Sequence, residues 1–373
     1  MVSCDPAESY KAPKVEVGNT TVGASGGSQF VRITSSVHWE MKIVSEYDGE
    51  AGWITVDQKS GDGDSNVAMK VAANVSDDER SATIIVTSKG GEASVKLTQR
   101  GKSDATRGGN LSPEADWLEL PAIPGGTDAF THSMTVGSVK TRNYSFIWDY
   151  DNLVAPWVAY PLCKSFIGSG GRTDQWALDP LLPDNKQPVL YRGFKEGNAG
   201  WYARGHQIPS ADRLNYSANV MTFYGTNMTP QIQNGFNGDI WANLEGKVRG
   251  WSEKSDTLYV VTGCVIDYKN GETVKYALDN NGKKVTVPTA YYKVVLRYMN
   301  NSTYGYSGYS ACAVWLDHTP YSTKAVDSRY SMSVDELEKR TGIDFFVNLP
   351  AKIGEEAAAK VEAENPAKVA FWW

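Results

Sequence analysis

The sequence predicts two domains in series, an all-β sandwich followed by an α+β domain. Three observations lead to this. Between residues 15 and 101 every regular pattern is a strand pattern, broken by glycine-rich turns. Residues 102–114 have almost no apolar content and read as a linker. Beyond them, strand runs alternate with stretches of three- and four-residue apolar periodicity. At 373 residues the chain is long enough to fold both parts.

Residues 1–14 are polar and read as an extended tail. Phe30–Thr34, Trp39–Val44, Trp53–Val56, Ala82–Thr87 and Ala93–Thr98 are β-branched or aromatic runs, the residue types that suit a pleated, half-buried surface. Ser60-Gly61-Asp62-Gly63-Asp64 and Lys89-Gly90-Gly91 supply turns between them. Several short strands with no helix imply a small sandwich. The order Trp53-Ile54-Thr55-Val56, Ser-Gly-Asp turn, Arg80-Ser81-Ala82-Thr83-Ile84 and closing Leu97-Thr98-Gln99 resembles BACON domains. That resemblance implies an immunoglobulin-like sandwich at 15–101 and a glycan as its ligand.

In the second part, Asn143–Asp149, Trp157–Tyr160, Leu258–Thr262, Tyr292–Leu296 and Ser310–Trp315 read as strands. Ser333 with Glu336 makes a capping box, and Gly342 is placed to end that helix. Residues Glu355 to Glu364, rich in Ala, Glu and Lys, read as a last surface helix.

The apolar fraction of 41% is ordinary for a globular chain, and no run approaches the length of a membrane span. A net charge of −6 excludes a bulk-basic nucleic-acid binder, so any grip on phosphate must come from a local cluster of arginines. The four cysteines show no Cys-x-x-Cys spacing and are too sparse for a disulfide scaffold. Cys264 and Cys312 fall in strand runs and are expected as buried thiols. Val2-Ser3-Cys4 resembles the end of a bacterial lipoprotein signal. It implies a lipid anchor on Cys4 and an exported, periplasmic or cell-surface protein; an arbitrary chain start is the plain alternative.

The chemistry concentrates between Trp201 and Trp251. Tyr202-Ala203-Arg204-Gly205-His206 is followed by Asn227-Met228-Thr229-Pro230-Gln231 and then by Asn237. Ile240, Leu244, Val248 and Trp251 recur as the apolar stripe of a helix, with Asn237 where that helix should begin, a position that favours Asn as a cap. Trp241, Glu245 and Arg249 follow Asn237 at intervals of four, eight and twelve. This pattern resembles the DNA/RNA non-specific endonucleases, the ββα-metal nucleases, over about residues 115–350, within a domain expected at 115–373. The family carries Asp-Arg-Gly-His, a metal-binding Asn, and the same Trp, Glu and Arg spacing.

The resemblance implies a ββα-metal fold with a central antiparallel sheet, and DNA and RNA as substrates. It makes His206, Arg204, Glu245 and Arg249 catalytic and Asn237 the metal ligand. Arg172, Arg204 and Arg249 become the phosphate contacts, since guanidinium binds phosphate bidentately. Arg172 is carried over only by its place in a loop before the histidine motif. A neutral imidazole, with an ordinary pKa of about 6.5, suits a base that takes a proton from water. One oxygen ligand without a second His or Cys favours magnesium with retained waters, and leaves manganese and calcium open. Eight residues of helix span ~12 Å, so Glu245 is expected to hold a metal-bound water rather than the ion itself. The plain alternative for Glu245 is an i,i+4 pair with Arg249, worth about 0.3–0.5 kcal/mol.

Ala203 departs from the family, which has Asp there. Strand alternation places it opposite Arg204, so it need not face the ion. An active enzyme is therefore expected. The rival is a surface carbohydrate-binding protein whose nuclease domain has degenerated, with Ala203 as the first sign.

Overall fold

The computed structural model describes residues 10–18, 20–22, 26–46, 49–76, 78–99, 101, 109–196, 200–269, 271–300 and 306–373. Cys4, with most of the expected tail, and positions 102–108 of the expected linker lie outside these residues. The chain divides into two compact units, residues 1–106 with 178–185, and residues 107–177 with 186–373.

In the first unit the β-branched and aromatic runs form β1 (Lys14–Val17), β2 (Thr21–Val22), β3 (Gly27–Thr34), β4 (His38–Ser45) and β5 (Gly49–Glu50). They continue as β6 (Ile54–Val56), β7 (Ser60–Asp62), β8 (Ser65–Val71), β9 (Arg80–Ser88) and β10 (Gly91–Gln99). One sheet has the order β1-β3-β8-β6; the other runs β2-β10-β9-β4-β5, with β7 against β4. Alternation is clean in β4, where Trp39, Met41 and Ile43 are buried and His38, Glu40, Lys42 and Val44 are exposed. Val31, Ile33, Val67 and Met69 from one sheet join Trp39, Ile43, Ile84 and Leu97 from the other in a single apolar cluster. The unit is all-β, as expected. Strand β8 is not evident from sequence, because Asn66, Ala68 and Lys70 dilute its β-branched character.

In the second unit a seven-stranded antiparallel sheet has the order β11-β12-β13-β17-β20-β21-β22. Its strands are β11 (Ala129–Val136), β12 (Val139–Ile147), β13 (Trp157–Leu162), β17 (Thr257–Val265), β20 (Ala290–Met299), β21 (Gly308–Asp317) and β22 (Ser331–Met332). A second sheet, β16-β15-β14-β18-β19, comprises β14 (Phe194–Glu196), β15 (Gly200–His206), β16 (Met228–Gln231), β18 (Tyr276–Leu278) and β19 (Lys284–Thr286). The helices are α1 (Lys164–Ile167), α2 (Tyr216–Met221), α3 (Ala242–Glu253), α4 (Val334–Thr341), α5 (Leu349–Ile353) and α6 (Glu355–Glu362). The capping box of Ser333 and Glu336 forms, and Gly342 ends α4 at φ 70°. Cys264 and Cys312 are buried free thiols.

The two faces of the large sheet do different work. Trp157, Ala159, Val261, Tyr292, Val294 and Leu296 point to one side, into an apolar core with Leu337, Phe345, Phe346 and Leu349. The alternate positions Tyr160, Tyr291 and Lys293 point to the other side and end in polar atoms. Tyr160 and Tyr291 donate hydroxyl bonds to Asp212 Oδ2 (2.8 Å) and the Pro230 carbonyl (2.9 Å). Lys293 Nζ donates to the Gln207 carbonyl (3.3 Å). The segment around His206 is thus held on a row of buried donors.

Gly205 is fixed by packing. A Cβ there would meet Gln231 Cδ at 2.2 Å and Cγ at 2.3 Å. The close approach is to a buried side chain of the neighbouring strand. Gly205→Ala should therefore destabilise by about 1–3 kcal/mol, as overpacking does, in thermal unfolding of the full chain. Adding Gln231→Ala should recover part of that loss. Strictly additive losses would show that this contact does not require the glycine.

Candidate active site

Strand β15 delivers Arg204 and His206, and the chain then turns away under tight control. Asn227 accepts from the Ile208 N–H (3.0 Å) and donates to the Ile208 carbonyl (2.9 Å), while the Gln207 N–H reaches the Asn227 carbonyl (3.0 Å). Trp241 Nε1 donates to the His206 carbonyl at 3.4 Å. Backbone polar groups that would otherwise be buried without partners are satisfied, and the imidazole is left at the end of a fixed strand.

Arg172, Arg204, His206, Asn237 and Glu245 all line one cleft of about 480 Å³. Two aromatic rings that no sequence motif announces pack against its side chains. Trp176 lies under Arg204, whose guanidinium carbon is 3.3 Å from the ring centroid, and meets His206 edge-on at 5.6 Å. Phe223 meets His206 edge-on at 5.2 Å and carries Arg172 over its face at 4.7 Å. The rings restrict the imidazole while keeping both guanidinium groups in place. Trp176 stands in the same loop as Arg172, but nothing local marks it as a partner of a residue 28 positions on.

His206 Nε2 is buried and has no hydrogen-bond partner among the described residues. Burial first, then the charge of Arg172, pushes its pKa down to about 3, and a backbone hydrogen bond at Arg204 partly opposes this. The imidazole is therefore neutral at physiological pH, with one nitrogen free to take a proton. An anion bound at the arginines would offset part of the depression.

The helix carrying Asn237 begins differently from the expectation. The helical segment runs Gln233–Trp241 and continues into α3, with Gly235 left-handed at φ 80°. Asn237 is not the cap: it lies inside the first turn, and its Nδ2 donates to Gln233 Oε1 at 3.2 Å. That leaves Oδ1 as the atom available to a cation. Gly235, which no L side chain would replace without strain, sets this geometry.

Arg249 also departs from expectation. It is not among the residues lining the cleft, and it pairs with Asp212 Oδ1 at 2.9 Å, with no ion pair to Glu245 among the described residues. Glu245 instead lies among Lys293, Asp212, Arg249 and Arg172. Burial pushes its carboxyl above the usual range, and Lys293 foremost opposes the rise. Ala203 lines the cleft as well.

No group of three or more His, Cys, Asp or Glu side chains converges among the described residues. Beside the His206 nitrogen, the cleft offers oxygen donors, Asn237 Oδ1 and the Glu245 carboxylate among them. Such a set fits a hard divalent ion that keeps much of its hydration.

Residues 125–352 match the family described as DNA/RNA non-specific endonuclease, and residues 42–100 match the BACON family. A nuclease of Nostoc sp. is 33% identical over 230 residues, covering 59% of this chain and 77% of that protein. The nuclease of Serratia marcescens is 33% identical over 212 residues, 55% of this chain and 73% of its own. Nuclease C1 of Cunninghamella echinulata is 29% identical over 226 residues, 59% and 87% respectively.

The turn before Asn237 is anchored by His318, which no motif in the sequence singles out. Its Nε2 accepts from the Ile232 N–H (2.9 Å) and its Nδ1 donates to the Pro288 carbonyl (2.8 Å). Burial lowers its pKa from 6.5 to about 4. The unfolded chain takes up that proton first, so this stabilising contribution is complete above pH 6.5 and is lost as pH falls toward 4. In thermal melts across that window, wild type should lose stability more steeply than His318→Gln, by at most about 1.4 kcal/mol per pH unit. Parallel curves would show that His318 titrates as it does in the unfolded chain.

Proposed function

The chain belongs to the DNA/RNA non-specific endonuclease family, and on that premise we propose that it cuts DNA and RNA internally with His206 as general base and one divalent ion, magnesium, held by Asn237. The observation that carries this reading is the convergence in one cleft of a free, neutral imidazole nitrogen, two arginines and an amide–carboxylate oxygen pair.

His206 Nε2 takes a proton from the attacking water as the new P–O bond forms. Arg204 and Arg172 contact the non-bridging phosphoryl oxygens, and the planar stack of Arg204 on Trp176 limits the rotamers that must be ordered. Asn237 Oδ1 would hold the ion directly and Glu245 through a bound water. When bound, the ion supplies Lewis-acid stabilisation of the phosphoryl group and of the leaving 3′-oxygen. The P–O3′ bond breaks, the 3′-oxygen leaves as a hydroxyl by taking a proton from solvent, and the 5′-phosphate remains. Arg249 acts at one remove in this scheme: it holds Asp212 and, with it, the turn after His206.

Ala203 supplies none of these functions, so its presence does not favour the degenerate reading. For the first unit, two sheets sharing one apolar core support an immunoglobulin-like sandwich.

His206→Ala should lower the initial rate of plasmid cleavage by about 10²–10⁴-fold in a chain that still unfolds cooperatively. Near-wild-type turnover would sink the proposed base. Asn237→Ala should need far more magnesium, with partial recovery at high concentration. Unchanged magnesium affinity by calorimetry would remove Asn237 as the ligand.

A further inference from the structure

The outward face of the five-stranded sheet carries exposed aromatic rings interleaved with cations. Cross-strand pairing sets Trp201 opposite Lys195, Lys195 opposite Leu278, and Leu278 opposite Lys284. Directly opposed residues share a face, and so does Tyr276, two residues from Leu278. The other face carries Phe194, Tyr202, Ala277 and Val285, all buried. That inner face holds the sheet in place, so the outer aromatics are not needed for the core.

Yet Trp201 is 50% exposed and Tyr276 45%, and Tyr191, just before β14, is 60% exposed. Cations interleave with them. The Arg192 guanidinium lies over both Trp201 (5.2 Å) and Tyr191 (5.6 Å), and Lys284 Nζ lies over Tyr276 (5.2 Å). None of the positions named on this face is acidic, in a chain whose net charge is −6. The face also runs into the catalytic cleft. Gly193, next to Arg192, and Ala203, one pleat along β15 from Trp201, both line it.

We propose that this face is a platform for single-stranded nucleic acid, which carries the substrate strand away from the catalytic cleft. The inference rests on the endonuclease reading and deepens it. Unpaired bases stack on Trp201, Tyr191 and Tyr276, while Arg192, Lys195 and Lys284 meet the phosphates. Every base has an aromatic face, so such contacts hold a strand without reading its sequence. A duplex keeps its bases stacked on one another and reaches only the cations.

The test uses the full chain, a fluorescent oligothymidylate of about 20 nucleotides in EDTA, and a blunt duplex with magnesium. Trp201→Ala should weaken oligothymidylate binding on the order of tenfold and leave duplex cleavage and the melting temperature unchanged. Lys195→Ala with Lys284→Ala should flatten the salt dependence of binding by roughly 0.7 for each phosphate that is no longer neutralised. If wild type cleaves duplex while Trp201→Ala binds the single strand as wild type does, the platform is wrong and the endonuclease reading stands. Equal losses on single strand and duplex would also overturn it, as would displacement of the oligonucleotide by a neutral soluble glucan. A wild-type chain that cleaves neither polymer fails the endonuclease reading itself.

Discussion

One buried carboxylate ties the layer around His206 together. Asp212 is 1% exposed and accepts from Arg249 Nη1 on α3 and from the Tyr160 hydroxyl on β13. It sits in the turn six residues after His206, so a single group joins helix, sheet and histidine loop. Leaving a buried charge without its partner costs about 3–5 kcal/mol, which makes the three elements move as one. The next residue, Arg213, is also fully buried and donates to Asn143 Oδ1, the Asn143 carbonyl and the Pro161 carbonyl. Adjacent charges of opposite sign thus pin one turn to the sheet below.

This arrangement explains why a large antiparallel sheet suits the site. One face closes an ordinary apolar core. The other presents Tyr160, Tyr291 and Lys293, whose stems pack like core residues and whose tips satisfy the carboxylate and carbonyls of the layer above. The imidazole and the two cleft arginines then rest on Trp176 and Phe223, so positive charge gathers locally in an acidic protein. His318, Gly235 and the Gln233–Asn237 contact set the start of the helix, and with it the direction of the amide oxygen.

Much of this is legible in the chain. The largely apolar runs at 258–262, 292–296 and 310–315 become strands because their neighbours, too, offer burial on both faces. The family resemblance carried by their spacing picks out His206, Asn237 and Glu245, and they share a cleft. The residues it does not find have a common physical cause. Asp212 stands close to the histidine motif without a visible role, since its partners Tyr160 and Arg249 are 52 and 37 residues away. Lys293 reads as one residue of an apolar strand. Trp176 and Phe223 matter only through rings brought together by the fold. Local rules also mislead where tertiary packing overrides them: Asn237 looks like a cap, but Gly235 begins the turn earlier, and Glu245 looks paired to Arg249, but Asp212 takes that arginine.

The central claim is that this cleft hydrolyses nucleic acid with one hard cation held by oxygen ligands. Digestion of supercoiled plasmid and of a folded RNA by the full chain tests it most directly, with magnesium, with EDTA, and with magnesium restored in excess. The account predicts internal cutting of both polymers, its loss in EDTA, its return with magnesium, and 5′-phosphate ends. A chain that is inert with magnesium, or that cuts equally well in EDTA, would contradict it.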